Sequence, residues 1–535
     1  MALNRSLAAV FEWLNALRGN WYGFVFPAVG AALSSIFLNQ IARDGGGHGV
    51  PEVIYSISQR GGLLRFRSSF SRLIACLLTI ASGGSAGPEA PVVISGASIG
   101  SNIGTYFRLK DRQRVIVVGC GAAAAIASIF NAPVTGIVFT LEAILGEWTA
   151  VNLIPVAIAS VVGTEVSRLL QGNQIPFQYQ AAGISPWNLV ACLGLATLTA
   201  MGSVALIRML RFIHGRSQKM IPFTWVSAAA GGILVGVIGL GFPSVLGEGY
   251  DVIRSIIAEN YSASLLVLGL TALTKILATS LTIGSGGSGG LFAPCLVIGS
   301  FTGQFYQRAL VAALPSVPWA GGGYFALLGM AGVISGVLQA PMTGVFLVAE
   351  ITGSYHFLIS VVLVAVISVT VSHFFEPVSV YHQELVSRGE LIKPRTDRQI
   401  LSHLNVLELL EKDCQTIHPE MQLKDLVSMV QYSHRNYFPV EDSQSGDFLG
   451  MIHLDDIRAY LFDPYLHDTI LVEQVMDRDV PRVSLEDELT YIFEIFDKTN
   501  TWSLPVVRDG KFLGLISKAT ILDHYRKELL VNEEI

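Results

Sequence analysis

The chain has 535 residues, of which 51% are hydrophobic and only 14% charged, with a mean hydropathy of +0.52; a soluble globular protein carries about a quarter charged residues. The shortage is local: residues up to Glu390 hold 20 Lys and Arg and 15 Asp and Glu, and the last 145 residues hold the other 15 and 26. That is a membrane protein with an ordinary soluble region at its C-terminus, and a net charge of −6 excludes a basic nucleic-acid surface.

In chain order, the opening MALNRSLAAVFEWLNALRGN reads as an amphipathic helix on a membrane surface, with no cleavable signal peptide visible. Apolar stretches follow at Tyr22–Ile41, Val115–Ile144, Leu153–Leu169, Trp187–Ile207, Phe223–Leu240, Leu265–Ile283 and Ile359–Phe374. A spanning helix needs about 20 apolar residues, and several runs here are shorter or end in glycine-rich segments. Broken segments survive in a bilayer only where protein or a wet cavity satisfies their backbone, so helices entering from both sides and meeting near the midplane are expected. The cysteines Cys76, Cys120, Cys192, Cys295 and Cys414 lack C-x-x-C spacing and read as small apolar residues, not a disulfide framework or a metal site.

The decisive pattern is an internal repeat. Gly84-Ser85-Ala86-Gly87-Pro88-Glu89-Ala90-Pro91 aligns with Gly287-Ser288-Gly289-Gly290-Leu291-Phe292-Ala293-Pro294, and the same offset pairs Gly96 with Gly299, Gly100 with Gly303 and Arg72 with Lys275. Asn131-Ala132-Pro133-Val134-Thr135-Gly136 resembles Gln339-Ala340-Pro341-Met342-Thr343-Gly344, each followed by an acid, Glu142 or Glu350. Two copies of one half-structure therefore build the membrane region. A glycine-rich loop feeding a helix presents unpaired N–H groups at the positive end of the helix dipole, which is an anion site. Two such loops aimed at one point would bind an anion without a full lysine charge, and so without holding it too tightly to leave. Arg72 and Lys275 read either as attractants for anions or as structural cations, snorkelling or carboxylate-paired.

These loops, with Gly47-His48-Gly49-Val50-Pro51-Glu52 and with Tyr381 after the last apolar run, resemble the anion-site loops and pore tyrosine of the CLC chloride channel and transporter family. The resemblance runs from about Trp21 to the C-terminus. It implies an all-α polytopic membrane domain of two inverted repeats with broken, tilted helices, and a homodimer with one pore per subunit. It also implies that Glu89 is the gate, its carboxylate occupying the ion position until protonation or a permeant anion displaces it. The anion would be bound by His48, Gly49 and Val50 of the first loop, the backbone N–H groups of Leu291 and Phe292, and the Tyr381 hydroxyl. Other readings of the same residues are a Glu89 that caps its helix, apolar packing by Leu291 and Phe292, and an interfacial Tyr381.

Four residues depart from the family pattern. His48 stands where a serine is usual, Pro88 replaces a basic residue before the gate, and Ala90 replaces a glycine after it. Ala143 occupies the place of the glutamate that relays protons in exchanger-type members, leaving Glu142 and Glu147 as the proton-path candidates. A slow conductor of chloride with weak or no proton coupling is therefore expected, with H+/Cl− exchange as the alternative.

After Lys393-Pro394-Arg395 the composition turns charged. Phe438-Pro439-Val440 leads through Ser445-Gly446 to Phe448–Ile452, and Leu504-Pro505-Val506 leads through Asp509-Gly510 to Phe512–Ile516. Each unit reads as strand, turn, strand, with the helical patterns Leu423–Tyr432 and Leu489–Phe496 ahead of them. The duplication resembles a CBS pair, an α/β module that binds adenine nucleotides in some members through a Ser or Thr and an Asp after the second strand. Here the first copy has His453 and Asp456, the second Ser517 and Thr520, so each keeps half of the pattern. A nucleotide-free dimerisation module is expected, with an adenine nucleotide at Asp456 and Ser517 left open. The boundaries are 1–390 for the transmembrane domain, 391–402 for a linker and 403–535 for the CBS pair. The expected location is the cell (inner) membrane, multi-pass, with the CBS pair in the cytosol, the lipid bilayer and chloride or related small anions as partners, no cofactor and no nucleic acid.

An intramembrane serine hydrolase is the enzymatic alternative, because Gly286-Gly287-Ser288-Gly289-Gly290 fits G-x-S-x-G. Gly83-Gly84-Ser85-Ala86-Gly87 fits it equally in the other repeat, and a duplicated nucleophile has no use whereas a duplicated anion loop does. The chain is therefore expected not to be an enzyme. His48 generates the first prediction: if its imidazole faces the ion, anion flux changes between about pH 5 and 8, where an unperturbed histidine titrates. His48→Ser abolishes that component, and an unchanged profile would mean the side chain points elsewhere.

Overall fold

The computed structural model describes residues 21–44, 49–173, 176–177, 179, 186–387, 406–433, 435–460, 464–499 and 501–524. The expected N-terminal surface helix, His48 and the 391–402 linker lie outside the described residues. The chain divides into two compact units, Met1–Leu391 and Ile392–Ile535.

The first unit is helical. Among the described residues seven helices are long and apolar enough to cross a membrane, including Asp111–Phe130, Ala150–Gln171 and Leu265–Gly284, and shorter apolar helices such as Ser68–Ala81 and Pro341–Thr352 lie between them. One helix, Pro186–Met220, is 35 residues long and outruns the span that Trp187–Ile207 suggests. The apolar run Val115–Ile144 is not one span, a correction to the sequence reading. The helix Asp111–Phe130 stops at Asn131, which is left-handed with φ 57°, and Pro133 opens a new helix, Pro133–Phe139, that passes into a π-helical turn at Thr140–Leu145. Hydropathy is blind to that break, because a proline with no N–H at a first helical position costs nothing in apolarity. The second half repeats it: Gly322–Leu338 ends at left-handed Gln339, φ 56°, and Pro341–Thr352 begins two residues later.

Small residues set the packing inside each half. A Cβ on Gly96 would lie 2.3 Å from the Gly121 carbonyl oxygen, and one on Gly299 would lie 2.4 Å from that of Gly329. Backbone thus meets backbone where Glu89–Tyr106 crosses Asp111–Phe130 and where Phe292–Ala313 crosses Gly322–Leu338, the close approach that small residues permit in membranes.

The two halves are tied by exchanged caps. Glu142 accepts from the Met342 N–H at 3.1 Å, the Thr343 N–H at 2.8 Å and the Thr343 hydroxyl at 2.6 Å. Glu350 accepts from the Val134 N–H at 2.9 Å, the Thr135 N–H at 2.7 Å and the Thr135 hydroxyl at 2.7 Å. Each acid of one repeat thereby neutralises the positive end of the broken helix in the other.

The second unit holds two antiparallel hairpins, β1 (Tyr437–Glu441) with β2 (Phe448–His453) and β3 (Ser503–Arg508) with β4 (Lys511–Ser517). The helices Leu423–Tyr432 and Leu489–Thr499 precede them. Each hairpin gains a parallel bridge from the segment before it, Ile417 to Val440 and Val483 to Val506, so the copies match in register as well as in sequence. Phe448 and Met451 of one copy share a cluster with Leu515 and Phe512 of the other, which makes the pair one module.

Exchanged caps predict a specific cost. Glu142→Ala or Glu350→Ala orphans two backbone N–H groups and should destabilise the membrane unit by about 1–3 kcal/mol. Glu147→Ala, whose carboxylate accepts from the Asn152 side-chain amide at 3.5 Å, should do so far less. Thermal unfolding of the purified chain in detergent measures both.

Candidate anion-binding site

Each glycine-rich loop begins where a helix is stopped by a glycine. Ser68–Ala81 ends before Gly83, φ 106°, and Leu265–Gly284 before Gly286, φ 111°, a left-handed region that only glycine enters freely. The loops then bind each other across the repeat. The Gly87 N–H donates to the Gly290 carbonyl at 2.8 Å and the Gly290 N–H to the Gly87 carbonyl at 2.6 Å. Flanking them, the Ser85 N–H donates to the Thr282 hydroxyl at 3.0 Å and the Ser288 N–H to the Thr79 hydroxyl at 3.2 Å. A Cβ on Gly290 would come within 3.0 Å of Ala90, and one on Gly289 within 2.4 Å of the Ala86 Cβ, so the loops touch by having no side chains there.

With those N–H groups spent, the donors left at the junction open the helices Glu89–Tyr106 and Phe292–Ala313. Leu291 is the N-cap of the second and Phe292 its first residue, and both are buried. The first loop reaches the same place. Gly49, left-handed at φ 92°, caps the helix Val50–Gln59, and its Cβ position lies 3.2 Å from the Ala90 carbonyl oxygen. Val50 is fully buried. Tyr381, on the helix Val380–Ser387, is 4% exposed, and its hydroxyl has no hydrogen-bond partner among the described residues. A buried hydroxyl with no protein acceptor suits a negatively charged ligand. Gly49, Val50, Leu291, Phe292 and Tyr381 are thus placed on elements that meet.

Glu89 is wholly buried at the first position of its helix. Its Oε1 accepts a hydrogen bond from the Tyr250 hydroxyl, its Oε2 has no hydrogen-bond partner, and the Ala293 backbone N–H interacts with the carboxylate. The sequence reading missed Tyr250. The signal was present: Gly47-His48-Gly49-Val50 has a counterpart in Gly247-Glu248-Gly249-Tyr250, 200 residues on, and Gly249, φ 85°, likewise caps a short helix, Tyr250–Ile257.

The proton-path candidates stand apart from that junction. Both oxygens of Glu142 are engaged at the Pro341–Thr352 helix, and Glu147 lies beyond the π-helical turn, accepting from the Asn152 amide at 3.5 Å. Ala143 between them is buried. Of the repeat-related cations, Arg72 is paired with a carboxylate: its Nε is 3.5 Å from Asp44 Oδ2, and its Nη2 donates to the Asp44 carbonyl at 2.7 Å. Lys275, fully buried, donates to the Val245 and Gly247 carbonyls, both at 3.0 Å. Each therefore anchors backbone within a few residues of a left-handed glycine, Gly49 or Gly249.

In the second unit Ser517 donates to Glu411 Oε1 at 2.6 Å, and Thr520 and Arg435 also bond that carboxylate. Asp456 accepts from the His453 N–H at 3.3 Å. The hydroxyl expected to meet a nucleotide is thus committed to an acid of the chain. Partial burial opposes the charge of Glu411, but the hydroxyls of Ser517 and Thr520 and the Arg435 guanidinium outweigh it and hold the carboxyl below its ordinary value. A carboxyl with a lowered folded pKa stabilises above its unfolded pKa, about 4.5, and that stabilisation is lost as pH falls through the folded value. Hydrogen exchange in β4 of the full chain, corrected for intrinsic rates, should therefore accelerate below about pH 4.5, and Glu411→Gln should flatten that response.

Comparison with known proteins gives a consistent result. The voltage-gated chloride channel family model matches residues 30–373, and the CBS domain model matches residues 406–463 and 472–527. A ClcB-like chloride channel protein of Ralstonia nicotianae is 28% identical over 373 residues, 68% of this chain and 86% of its own length. The H(+)/Cl(−) exchange transporter ClcA of Vibrio parahaemolyticus is 28% identical over 395 residues, 70% and 82% of the two chains. Among solved structures, a slow cyanobacterial Cl−/H+ antiporter superposes with a TM-score of 0.65 at 21% identity, covering 74% of this chain and 95% of that one. A eukaryotic CLC transporter superposes at 0.63 and 18% identity over 97% and 94%. With the family model spanning well over half of its length, the chain belongs to the voltage-gated chloride channel (CLC) family, a family of membrane anion transport proteins, and carries a CBS pair at its C-terminus.

Proposed function

We propose that the chain carries chloride across the membrane along a path that Glu89 opens and closes. The observation that carries this reading is the junction itself. Two repeat-related loops bond one another, aim the starts of two helices at one region, and leave a buried carboxylate and a buried, unpartnered tyrosine hydroxyl beside them. A carboxylate in that position is an internal anion that competes with chloride for the same donors. The backbone N–H groups of Gly49, Val50, Leu291 and Phe292 and the hydroxyl of Tyr381 bind the ion in this reading, and protonation of Glu89 frees the path. The protein acts as a homodimer with the CBS pair in the cytosol, and that pair serves assembly without a nucleotide, since Glu411 occupies the Ser517 hydroxyl.

Transport is uncoupled or weakly coupled to protons. Ala143 carries no titratable group, and Glu142 has both oxygens bonded at a helix terminus. The second reading is H+/Cl− exchange, supported by the relatives named as exchange transporters and antiporters; a water chain past Ala143 or through Glu147 would serve it.

A chloride gradient across vesicles at symmetric pH separates the two. The expected result is passive chloride flux without proton movement, increased by acid and made insensitive to pH by Glu89→Gln. Sustained uphill proton movement that disappears in Glu89→Gln establishes the exchanger instead.

A further inference from the structure

The first-loop motif has a mate that no anion-site role covers. Gly247-Glu248-Gly249-Tyr250 follows the spacing of Gly47-His48-Gly49-Val50, its second glycine is left-handed like Gly49, and a repeat-related buried cation anchors it as Arg72 anchors Asp44. In the first half this turn presents backbone beside Ala90. In the second half it presents a side chain, the Tyr250 phenol, to Glu89.

The phenol is held from two directions. Its ring packs against Phe177, centroids 5.9 Å apart, and the turn beneath it is fixed by Lys275. Beside it is a cavity of about 420 Å³, lined also by Pro88, Asn131, Gln171, Phe177 and Arg254. The charged and titratable groups around the pair are Glu248 on the same turn, Arg254 one turn on and paired with Asp251, the thiols of Cys76 and Cys295, and Tyr381, while Lys275 bonds the turn itself. Among the described side chains, Tyr250 is the hydrogen-bond donor to the Glu89 carboxylate.

We propose that Tyr250 is a positioning residue for the gate: its hydroxyl latches the Glu89 carboxylate in the path, and the cavity beside it is the vestibule from which anions reach that latch. An incoming anion must break this bond as well as outcompete the carboxylate, so the latch slows transport. Arg254 lines the vestibule with its guanidinium paired to Asp251 at 2.8 Å. The inference rests on Glu89 being the gate, and the test keeps the two apart.

The experiment is chloride efflux from vesicles containing the full chain, between about pH 5 and 8, for the wild type, Tyr250→Phe, Glu89→Gln and the double variant. Removing the hydroxyl should raise flux at neutral pH roughly tenfold to a hundredfold, the scale of one hydrogen bond to a charged group, and alter the pH profile. In the Glu89→Gln background Tyr250→Phe should change nothing. A Glu89→Gln protein indistinguishable from wild type defeats the gate itself. A Glu89→Gln effect with wild-type flux and pH profile in Tyr250→Phe defeats the latch alone, as does an equal Tyr250→Phe effect in both backgrounds. Tyr250→Met, which also lacks the donor, replaces Tyr250→Phe if that variant does not yield folded protein.

Discussion

A helix that begins inside a bilayer has backbone N–H groups with no water to accept them, and the membrane unit is organised around that constraint. Four broken helices begin at repeat-related places, at Pro133, Pro341, Glu89 and Phe292. Two are closed by an acid from the opposite repeat, Glu350 onto the first and Glu142 onto the second. The other two meet head to head, where the Gly87 and Gly290 groups satisfy each other and the Ser85 and Ser288 N–H groups bond threonine hydroxyls of the opposite repeat. The same surplus of donors is thus closed by an acid of the other repeat in one place and left beside a buried carboxylate in the other. What separates the two is the length of the acid's reach and its partner: a glutamate well inside one helix reaches the other repeat, whereas Glu89, at the head of its own helix, stays at the junction.

Close approach of backbones makes this arrangement possible. Gly96 against Gly121 and Gly299 against Gly329 hold the helices Glu89–Tyr106 and Phe292–Ala313 tightly to their neighbours, so that the loops at their ends arrive at a fixed spacing. The buried cations act at the same scale. Arg72 bonds the Asp44 carbonyl and Lys275 the Val245 and Gly247 carbonyls, and a full charge is thereby consumed in positioning chain. A site made from dipoles and one competing carboxylate suits conduction, which needs an ion to leave as readily as it enters.

The soluble unit shows the same logic applied to a carboxylate. Ser517, Thr520 and Arg435 form a set of donors suited to an anion, and Glu411 fills it from within the chain. The half-kept sequence pattern does not disclose the acid that these donors bond, because Glu411 lies 106 residues from Ser517.

Much of this was legible in the residues. Composition separated membrane from soluble region, and a constant offset between two glycine-rich loops disclosed the repeat, since backbone that must bond backbone leaves glycine at both ends of the contact. Strand–turn–strand units in the tail followed from alternation and turn residues. Three things were decided only by tertiary structure. The break at Asn131 is hidden in an unbroken apolar run. The tasks of Glu142 and Glu350 depend on a partner about 200 residues away, and a lone acid in an apolar helix reads alike as cap or as proton carrier. Tyr250 reaches Glu89 from a turn 161 residues away in the chain. Sequence periodicity records which face a residue takes within its own helix, and a hydroxyl meeting a carboxylate from the other half of the molecule is set by how the two halves pack.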